Sequence, residues 1–313
     1  MKHLFVMDPV ETIRIDRDST FALMCEAERR GHTVAIAHVE DLWVDGGEAF
    51  ARAKWSRFQR IQGAHVIGGE PVEVSLDGFD VIWMRKDPPF HMGYIFNTYV
   101  LDLAVARGRL VVNAPAGLRN MNEKAWAMRF PALTPRSLVT QSMPRLRAFA
   151  EAHGHVVIKP LDGNGGEGVF VVRRDDPNIG VIIEAVTQHG QRKVLSQTYV
   201  PEIREGDKRI ILVDGEPVGA ILRVPQGVDH RGNIHVGAKV VRAELTERDR
   251  EICDAIGPAL REAGQVFVGI DVIGRYLTEV NVTSPTGIHE INAFEGISVE
   301  AMVVDAVERR LAR

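Results

Sequence analysis

The segment 266–290, VFVGIDVIGRYLTEVNVTSPTGIHE, constrains the fold of this chain more than any other. Residues 266–273 are β-branched and aromatic and predict a buried strand, which turns at a Gly-Arg pair into a second predicted strand. Side chains alternate faces along a strand, so Glu279 and Asn281 point the same way. Asp271 falls nearly opposite Glu279 across the turn. We therefore expect three oxygen-bearing side chains on one face of a hairpin.

Two carboxylates close together in an apolar hairpin repel each other and resist ionisation unless a cation lies between them. Carboxylate and amide oxygens suit Mg²⁺ or Mn²⁺, with phosphate oxygens and waters completing the octahedron. The alternative is a solvated hairpin edge with ordinary surface charges. The D-x₇-E-x-N spacing between apolar runs, followed by Thr-Ser-Pro-Thr-Gly, favours the metal site.

A glycine-rich loop lies within residues 155–172, HVVIKPLDGNGGEGVFVV, where Lys159 ends one predicted strand. The loop formally contains G-x-G-x-x-G, but the dinucleotide-binding motif needs a helix after it, and residues 169–172 predict a strand. The P-loop pattern ending in Gly-Lys-Ser/Thr is absent. What remains is a hairpin whose backbone N–H groups can close over phosphates, or else a plain mobile turn. The glycines and the upstream lysine favour the phosphate-binding flap.

The N-terminal third predicts a parallel sheet. Strand, helix and strand patterns follow one another over residues 3–39, with a helix start at Asp18-Ser19, which is typical of a βαβ unit. Residues 44–75 mix a hairpin signal with a partial helical period, and we favour strands. The strand at 79–84 ends in RKDPPF, which indicates either an anion contact or a solvated strand end.

Two further segments carry charge at informative places. Asn-Glu-Lys at 122–124 predicts the start of a helix, where Lys124 opposes the helix dipole and calls for a partner anion. Residues 226–239, QGVDHRGNIHVGAK, are polar, glycine-bearing and too long for a simple connector, so we expect a functional lid. We expect three parts in the chain, with boundaries at 1–121, 122–200 and 201–313.

Composition limits the class of protein. A formal net charge of −4 argues against general nucleic-acid binding but permits a local basic pocket. The two cysteines, Cys25 and Cys253, form no CxxC motif, which suits a reducing cytoplasm and argues against zinc. The apolar run at the N-terminus is too short for a signal peptide, and no stretch is long enough to span a bilayer. We expect a cytoplasmic globular protein without nucleic-acid or membrane partners.

Taken together, these segments resemble the ATP-grasp ligases, and specifically the bacterial type of glutathione synthetase. The resemblance covers essentially the whole chain. Two strings, MRKDPPF and NVTSPTG, make the resemblance specific to glutathione synthetase and not only to ATP-grasp ligases in general. The strings that carry it are VMDP (6–9), MRKDPPF (84–90), NEK (122–124), KPLDGNGG (159–166), GDKR (206–209), RVPQG (223–227), RGN (231–233), GIDVIG (269–274) and LTEVNVTSPTG (277–287).

The resemblance implies an α/β ATP-grasp fold preceded by an N-terminal parallel βαβ domain. ATP would lie between two small antiparallel sheets, beneath the flap. Two Mg²⁺ or Mn²⁺ ions would be bound by Asp271, Glu279 and Asn281. The residues implied in ATP binding are Lys124, Lys159, Gly163, Asn164, Gly165, Gly166, Tyr199, Val200 and Asp207.

The implied reaction joins γ-glutamylcysteine to glycine. The cysteinyl carboxylate attacks the γ-phosphate of ATP to give an acyl phosphate, and the amine of glycine then displaces phosphate. Acyl phosphates hydrolyse, which is the reason for a lid. The residues implied in catalysis are Arg209, Arg223 and Arg231. The residues implied in dipeptide binding are Arg85, Asp8, Ser19, Thr286 and Gly287.

Two positions depart from the pattern of the family: Asn164 stands in the flap in place of an apolar residue, and Lys239 stands in the lid in place of arginine. The resemblance further implies a homotetramer. The alternative function is another ATP-grasp ligase, joining two D-alanines or adding glutamate to a peptide. Only Arg85, the lid and residues 283–287 discriminate between the two. A nucleotide-binding protein without chemistry could dispense with the metal triad and the basic lid.

Overall fold

The strands form three sheets in the computed structural model, which describes residues 1–163, 165–226 and 238–312. Over these ranges no helix combines the length and the apolar character needed to cross a membrane.

The first sheet and its helices occupy the N-terminal third. The strands are β1 (Lys2–Met7), β2 (Thr33–His38), β3 (Leu42–Asp45), β4 (Glu48–Phe58), β5 (Val66–Gly68), β6 (Val72–Ser75), β7 (Val81–Met84) and β8 (Leu110–Val112), and the helices are α1 (Ser19–Arg29), α2 (Met92–Ala106) and α3 (Pro115–Asn120). The order is β3-β4-β2-β1-β7-β8, and β5 and β6 also pair with β4. Strands β2, β1, β7 and β8 are parallel, which confirms the βαβ prediction. Strands over 44–75 are confirmed as well.

The second sheet is antiparallel and has the order β11-β10-β12-β9. Its strands are β9 (Ser137–Thr140), β10 (His155–Pro160), β11 (Phe170–Arg173) and β12 (Val194–Thr198), and its helices are α4 (Met143–His153) and α5 (Ile179–Val186). The helices cover one face and pack on Val156, Ile158 and Val172. The predicted strand after the glycine-rich loop is therefore confirmed.

The third sheet is also antiparallel, with the order β15-β14-β13-β16-β17. Its strands are β13 (Asp207–Val213), β14 (Glu216–Val224), β15 (Lys239–Arg242), β16 (Phe267–Ile273) and β17 (Tyr276–Asn281), and its helices are α6 (Glu247–Glu262), α7 (Ile288–Glu295) and α8 (Val299–Leu311). Thr246 and Asp249 form a capping box at the start of α6.

Buried polar contacts fix the first sheet to the third. The side chain of Asn113 donates to the carbonyls of Phe267 and Val282 at 2.8 and 2.7 Å, and it accepts from the backbone N–H groups of Val266 and Phe267. An amide that uses both its donor and its acceptor inside the core positions the two backbones precisely in relation to each other. The hairpin of β16 and β17 is thereby held in register with the N-terminal sheet.

The prediction that an α-helix starts at Asn122 is wrong. The side-chain oxygen of Asn122 accepts from the backbone N–H groups of Lys124 and Ala125, as a cap does, but only a turn and a short 3₁₀ helix, Trp126–Arg129, follow. Pro131 explains the early end, because the residue before a proline disfavours the helical conformation. Lys124 therefore lies in a turn and not in an α-helix.

Candidate active site

A cavity of about 880 Å³ opens between the second and third sheets. The β10–β11 loop contributes Gly163, Gly165 and Gly166 to its lining. Gly165 and Gly166 have φ angles of 63° and 81°, which side-chain-bearing residues rarely adopt. A Cβ atom on Gly163 would lie 2.6 Å from the ring of Pro160. Glycine is therefore required where the loop approaches the cavity.

The β16–β17 hairpin places its polar residues as the sequence predicts. Asp271 is directly opposite Glu279 in the register, and Asn281 is opposite Gly269. The side-chain amide of Asn281 donates to the carboxylate of Asp271 at 3.2 Å. All three residues line the cavity.

Four charged residues on adjacent strands of the third sheet form what we call the arginine wall: Asp207, Arg209, Arg223 and Asp271. Arg209 donates from Nε and Nη2 to the two oxygens of Asp271 at 2.5 and 3.0 Å. Arg223 Nη2 lies 2.5 Å from Asp207 and 2.9 Å from Asp271. Strand register determines two of these pairs, because Asp207 is opposite Arg223 and Arg209 is opposite Asp271, while Arg223 reaches Asp271 across strand β13.

The two carboxylates of the arginine wall have opposite pKa shifts. Burial raises the pKa of Asp271, but the guanidinium groups of Arg209 and Arg223 outweigh burial and hold that pKa well below its ordinary value. Burial raises the pKa of Asp207 to about 6, even though Arg223 opposes the shift. The Oδ1 atom of Asp207 is buried and has no hydrogen-bond partner among the described residues.

A second cluster, which we call the lysine pair, brings together Lys124 and Lys159 at Glu279. Lys159 Nζ lies 3.1 Å from Oε1 of Glu279, and Lys124 Nζ lies 3.8 Å from the same oxygen. Lys124 also donates to the carbonyl of Gly163 at 2.5 Å. Burial raises the pKa of Glu279, but the two lysines outweigh burial and lower it. Lys124 thus has a partner anion, as predicted, although it lies in a turn and not at the start of an α-helix.

The oxygen atoms of the hairpin side chains are of the type that binds a hard divalent cation. Asp271 and Glu279 supply carboxylate oxygens and Asn281 supplies an amide oxygen, the ligands that Mg²⁺ and Mn²⁺ take in proteins. Within the described ranges, no three His, Cys, Asp or Glu side chains form a cluster able to hold a metal by themselves.

The apolar wall of the cavity lies at the end of β12. Tyr199 and Val200 line it, and the ring of His155 stacks on Tyr199 with 4.0 Å between centroids. Val157 and Phe170 add apolar surface from β10 and β11. An apolar wall of this kind suits an aromatic heterocycle.

The predicted dipeptide residues lie at the first-sheet side of the site. Arg85 is buried; its Nε donates to the hydroxyl of Thr20 at 3.0 Å, and its Nη2 donates to the carbonyl of Pro285 at 3.3 Å. Arg85 does not line the main cavity, although Pro285 does. The carboxylate of Asp8 pairs with Lys86 at 2.7 Å.

Three other predicted positions have separate environments. The hydroxyl of Ser19 is buried and has no partner among the described residues. Thr286 lines the cavity, and its carbonyl accepts from Arg209 at 3.3 Å. Gly287 has a φ angle of 121° and is the residue immediately before α7. Asn164, Arg231 and all of the predicted lid except Gln226, Ala238 and Lys239 lie outside the described residues.

Sequence reasoning missed Glu123 as a site residue. Its carboxylate lines the cavity and accepts from the hydroxyl of Thr283 at 2.9 Å. Its carbonyl accepts from the backbone N–H of Val280 at 2.8 Å, which fixes it to β17. Burial raises its pKa, against the influence of Lys124. The sequence signal for Glu123 is its place beside Lys124 in the Asn-Glu-Lys string.

Comparison with known proteins shows the family of the chain. The chain matches the profile of the prokaryotic glutathione synthetase N-terminal domain over residues 1–119 and that of the ATP-grasp domain over residues 123–296. It is 48% identical to the glutathione synthetase of Gloeobacter violaceus, over 97% of this chain and 96% of the relative. It is 46% identical to the enzyme of the same name from Salmonella typhimurium, over 98% of each chain.

Solved structures show the same fold. A D-cycloserine synthetase superposes with a TM-score of 0.70 at 15% identity over 99% of both chains. D-alanyl-alanine synthetase A from Vibrio cholerae superposes with a TM-score of 0.64 at 15% identity over 100% of this chain and 98% of the other. At these identities the likeness shows the fold alone, and the predicted ATP-grasp fold is confirmed. On the sequence profiles and the near-full-length relatives, the chain belongs to the prokaryotic glutathione synthetase family.

Proposed function

We propose that this cavity joins γ-glutamylcysteine to glycine and converts ATP to ADP and phosphate, so that the product is glutathione. One observation carries the proposal: two lysines and two arginines converge with Asp271 and Glu279 beneath a glycine-rich loop. Such an arrangement suits phosphoryl transfer, in which positioning and charge stabilisation supply most of the catalysis.

ATP would bind with its base against Tyr199 and Val200 and its triphosphate beneath the loop formed by residues 163–166. Lys124 and Lys159 would hold the phosphates. The buried Oδ1 of Asp207, which has no hydrogen-bond partner among the described residues, can accept from a ribose hydroxyl. For these contacts to form, the two lysines must exchange the carboxylate of Glu279 for the phosphates of ATP.

Enzymes of this family generally need a divalent metal ion together with ATP. We assign its ligands as Asp271, Glu279 and Asn281, with Mg²⁺ or Mn²⁺ as the ion and two ions per site. When bound, the metal would neutralise phosphate charge and hold the transferring group in line. Glu279 would then leave the lysines free for the triphosphate.

The first bond forms between a cysteinyl carboxylate oxygen and the γ-phosphorus, and the bond to the β–γ bridging oxygen breaks, releasing ADP. Arg209 and Arg223 would stabilise the charge on the transferring group, and Arg231 is assigned the same role. The glycine amine then attacks the acyl carbon, and phosphate leaves with the carboxylate oxygen. Arg85 would hold the dipeptide beside the 283–287 turn, with Asp8, Ser19, Thr286 and Gly287.

Glycine enters as an ammonium ion and must lose a proton before it attacks. Glu123 lines the cavity and has a raised pKa, so we assign it as the acceptor. Glu123→Gln should slow tripeptide formation more at neutral pH than at alkaline pH, where free amine is abundant. An equal loss at both pH values would remove Glu123 from this role.

The test of the proposed function is product analysis. The protein is incubated with ATP, Mg²⁺, γ-glutamylcysteine and one of glycine, alanine, D-alanine or glutamate, and the peptide and phosphate are both quantified. We expect glutathione with one phosphate per tripeptide, and little product with the other amines. Peptide formation from D-alanine alone, or phosphate release without peptide, would contradict the proposal.

We also assign the protein to the cytoplasm and to a homotetrameric assembly. Cys25 is half-buried and Cys253 is buried, and burial raises the pKa of their thiols to about 11 and about 12, so both stay protonated and unreactive. That state suits a reducing compartment. Cell fractionation checks the first assignment, and recovery in a membrane or extracellular fraction would overturn it.

A further inference from the structure

The N-terminus of α1 meets the segment 283–289 at a seam between the first-sheet and third-sheet parts of the chain. Asp18 and His289 are in contact across this seam although they are 271 positions apart in the sequence. Each side carries a residue that we assign to the dipeptide, Ser19 on α1 and Thr286 on the turn before α7. The shape of the dipeptide site therefore depends on how the two sides are held together.

Arg85 makes the first bridge across the seam. Its Nε donates to the hydroxyl of Thr20 at 3.0 Å, and its Nη2 donates to the carbonyl of Pro285 at 3.3 Å. A guanidinium has five N–H donors, and a substrate carboxylate takes some of them when it binds. Because the same cation is the proposed dipeptide contact, this bridge cannot hold the seam independently of the substrate.

His289, in the first turn of α7, makes the second bridge. Its Nε2 lies 3.0 Å from the carbonyl oxygen of Asp18. A carbonyl oxygen only accepts, so the N–H of this contact is on Nε2. The acceptor is itself fixed, since the side chain of Asp18 caps α1 by accepting from the backbone N–H of Phe21 at 2.7 Å. We have assigned neither partner of this bond to a substrate.

Apolar packing beside the bond brings α7 and α1 together. Phe21 of α1 and Ile288 of α7 are buried in the same hydrophobic cluster. Apolar contact has no preferred direction, whereas a hydrogen bond requires a particular distance and angle. The bond of His289 therefore sets the position of one helix end against the other, and the packing sets only their proximity.

We propose that His289 is a positioning residue for γ-glutamylcysteine, which holds the N-terminus of α1 where it and the 283–287 turn bind the dipeptide together. The inference rests on the proposed function and deepens it, because it names a residue that acts on the dipeptide through Asp18. Without the bond, only a fraction of the molecules would have the competent seam, and the apparent affinity would fall by that fraction. Saturating dipeptide would restore the competent arrangement, so kcat should be kept.

Calorimetric titration of γ-glutamylcysteine into the full chain, with Mg²⁺ and a non-hydrolysable ATP analogue, tests the proposal together with steady-state kinetics. His289→Ala should weaken dipeptide binding about 3- to 10-fold, the value of one hydrogen bond. The KM for the dipeptide should rise in parallel, whereas kcat and the KM for ATP should not change. Alanine is the strongest helix former, so α7 should persist. His289→Gln should recover most of the affinity, because its amide places an N–H donor equally far along the side chain.

Asn292→Ala is the matched control. Asn292 is half-buried on the same helix, like His289, but it accepts from the backbone N–H of Val299 at 2.9 Å and so joins α7 to α8. This variant should lose stability and keep its dipeptide affinity. Unchanged affinity in a folded His289→Ala, an equal loss in Asn292→Ala, or no recovery in His289→Gln would overturn the inference.

The two proposals can fail separately. A wild type that binds γ-glutamylcysteine but makes no glutathione would contradict the proposed function, while the affinities of the variants would still decide the role of His289. A wild type that binds no γ-glutamylcysteine would overturn both.

Discussion

The arginine wall and the lysine pair each neutralise one carboxylate of the same hairpin, but they are built differently. All four residues of the wall lie on three adjacent strands of one sheet, and strand register sets two of their three pairs. The lysine pair joins a turn after the first sheet, strand β10 of the second sheet and strand β17 of the third. The wall is therefore formed within one sheet, whereas the lysine pair forms only where three separate parts of the chain meet.

The residue types match this difference. Arg209 makes two parallel bonds to Asp271, a geometry that a rigid guanidinium provides and an ammonium does not. Lys159 makes a single bond to Glu279 from a flexible stem. The side chain of Asp271 is 5% exposed and that of Glu279 is 25% exposed. We infer that the wall is preformed and that the lysine pair is the part that exchanges partners when ATP binds.

The largest expected effect is on turnover. Glu279→Gln removes a metal ligand and the anion shared by both lysines, so kcat should fall by about 10³-fold or more at saturating substrates. Initial rates at several Mg²⁺ concentrations measure it, with circular dichroism as the control for folding. Near-normal turnover at saturating Mg²⁺ would remove Glu279 from the metal site.

The free energy of unfolding should depend more on the arginine wall than on the lysine pair. Asp271→Asn leaves two buried guanidinium groups short of a counter-charge and should lower the free energy of unfolding by about 3 kcal/mol. Glu279→Gln should cost less, about 1 kcal/mol, because the Glu279 side chain is 25% exposed and water can solvate the group that replaces it, although both lysines are buried. Urea unfolding of both variants gives the comparison. Equal losses would mean that the lysine pair is as rigid as the wall.

A residue outside both clusters should affect only one substrate. Arg85→Ala should raise the KM for γ-glutamylcysteine by about 10- to 100-fold, the value of one or two hydrogen bonds to a charged group. The KM for ATP should not change, since the guanidinium of Arg85 is held between Thr20 and Pro285. Arg85→Lys should restore part of the loss. A parallel rise in both KM values would argue against dipeptide binding by Arg85.

The smallest effect concerns pH. The pKa of Asp207 is about 6 in the folded chain and about 4 when unfolded, so the folded state binds the extra proton between these values. The contribution of Asp207 to the free energy of unfolding is complete below about pH 4 and is lost as the pH rises through about 6. Relative to Asp207→Asn, the wild type should thus be about 1 kcal/mol more stable at pH 5 than at pH 7. Thermal unfolding measures the difference, and a reversed sign would mean that Arg223 keeps Asp207 ionised.

The contrast between the clusters also explains what the sequence could predict. The alternation of side chains along two apolar runs was enough to place Asp271 opposite Glu279, and β-branched residues were enough to identify the strand after the glycine-rich loop. Both are local properties. The bonds of Arg209 and Arg223 to Asp271 depend on which strands become neighbours, and no local pattern contains that information.

Glu123 shows the same limit from another direction. Glu123 is next to Lys124 in the sequence. Its contact with Thr283, however, joins residues that are 160 positions apart. The 122–124 helix was wrong for a local reason, the proline at 131, which outweighed a good cap. Long-range placement and competing local signals are thus separate sources of error.

The measurement that tests the mechanism most directly follows one oxygen atom. γ-Glutamylcysteine labelled with ¹⁸O in its cysteinyl carboxylate is converted with ATP, Mg²⁺ and glycine, and the released phosphate is analysed by mass spectrometry. If the carboxylate attacks the γ-phosphorus and the amine displaces phosphate, each phosphate should carry one labelled oxygen for each glutathione formed. Glutathione formation with unlabelled phosphate would contradict the acyl-phosphate route and the roles assigned to both clusters.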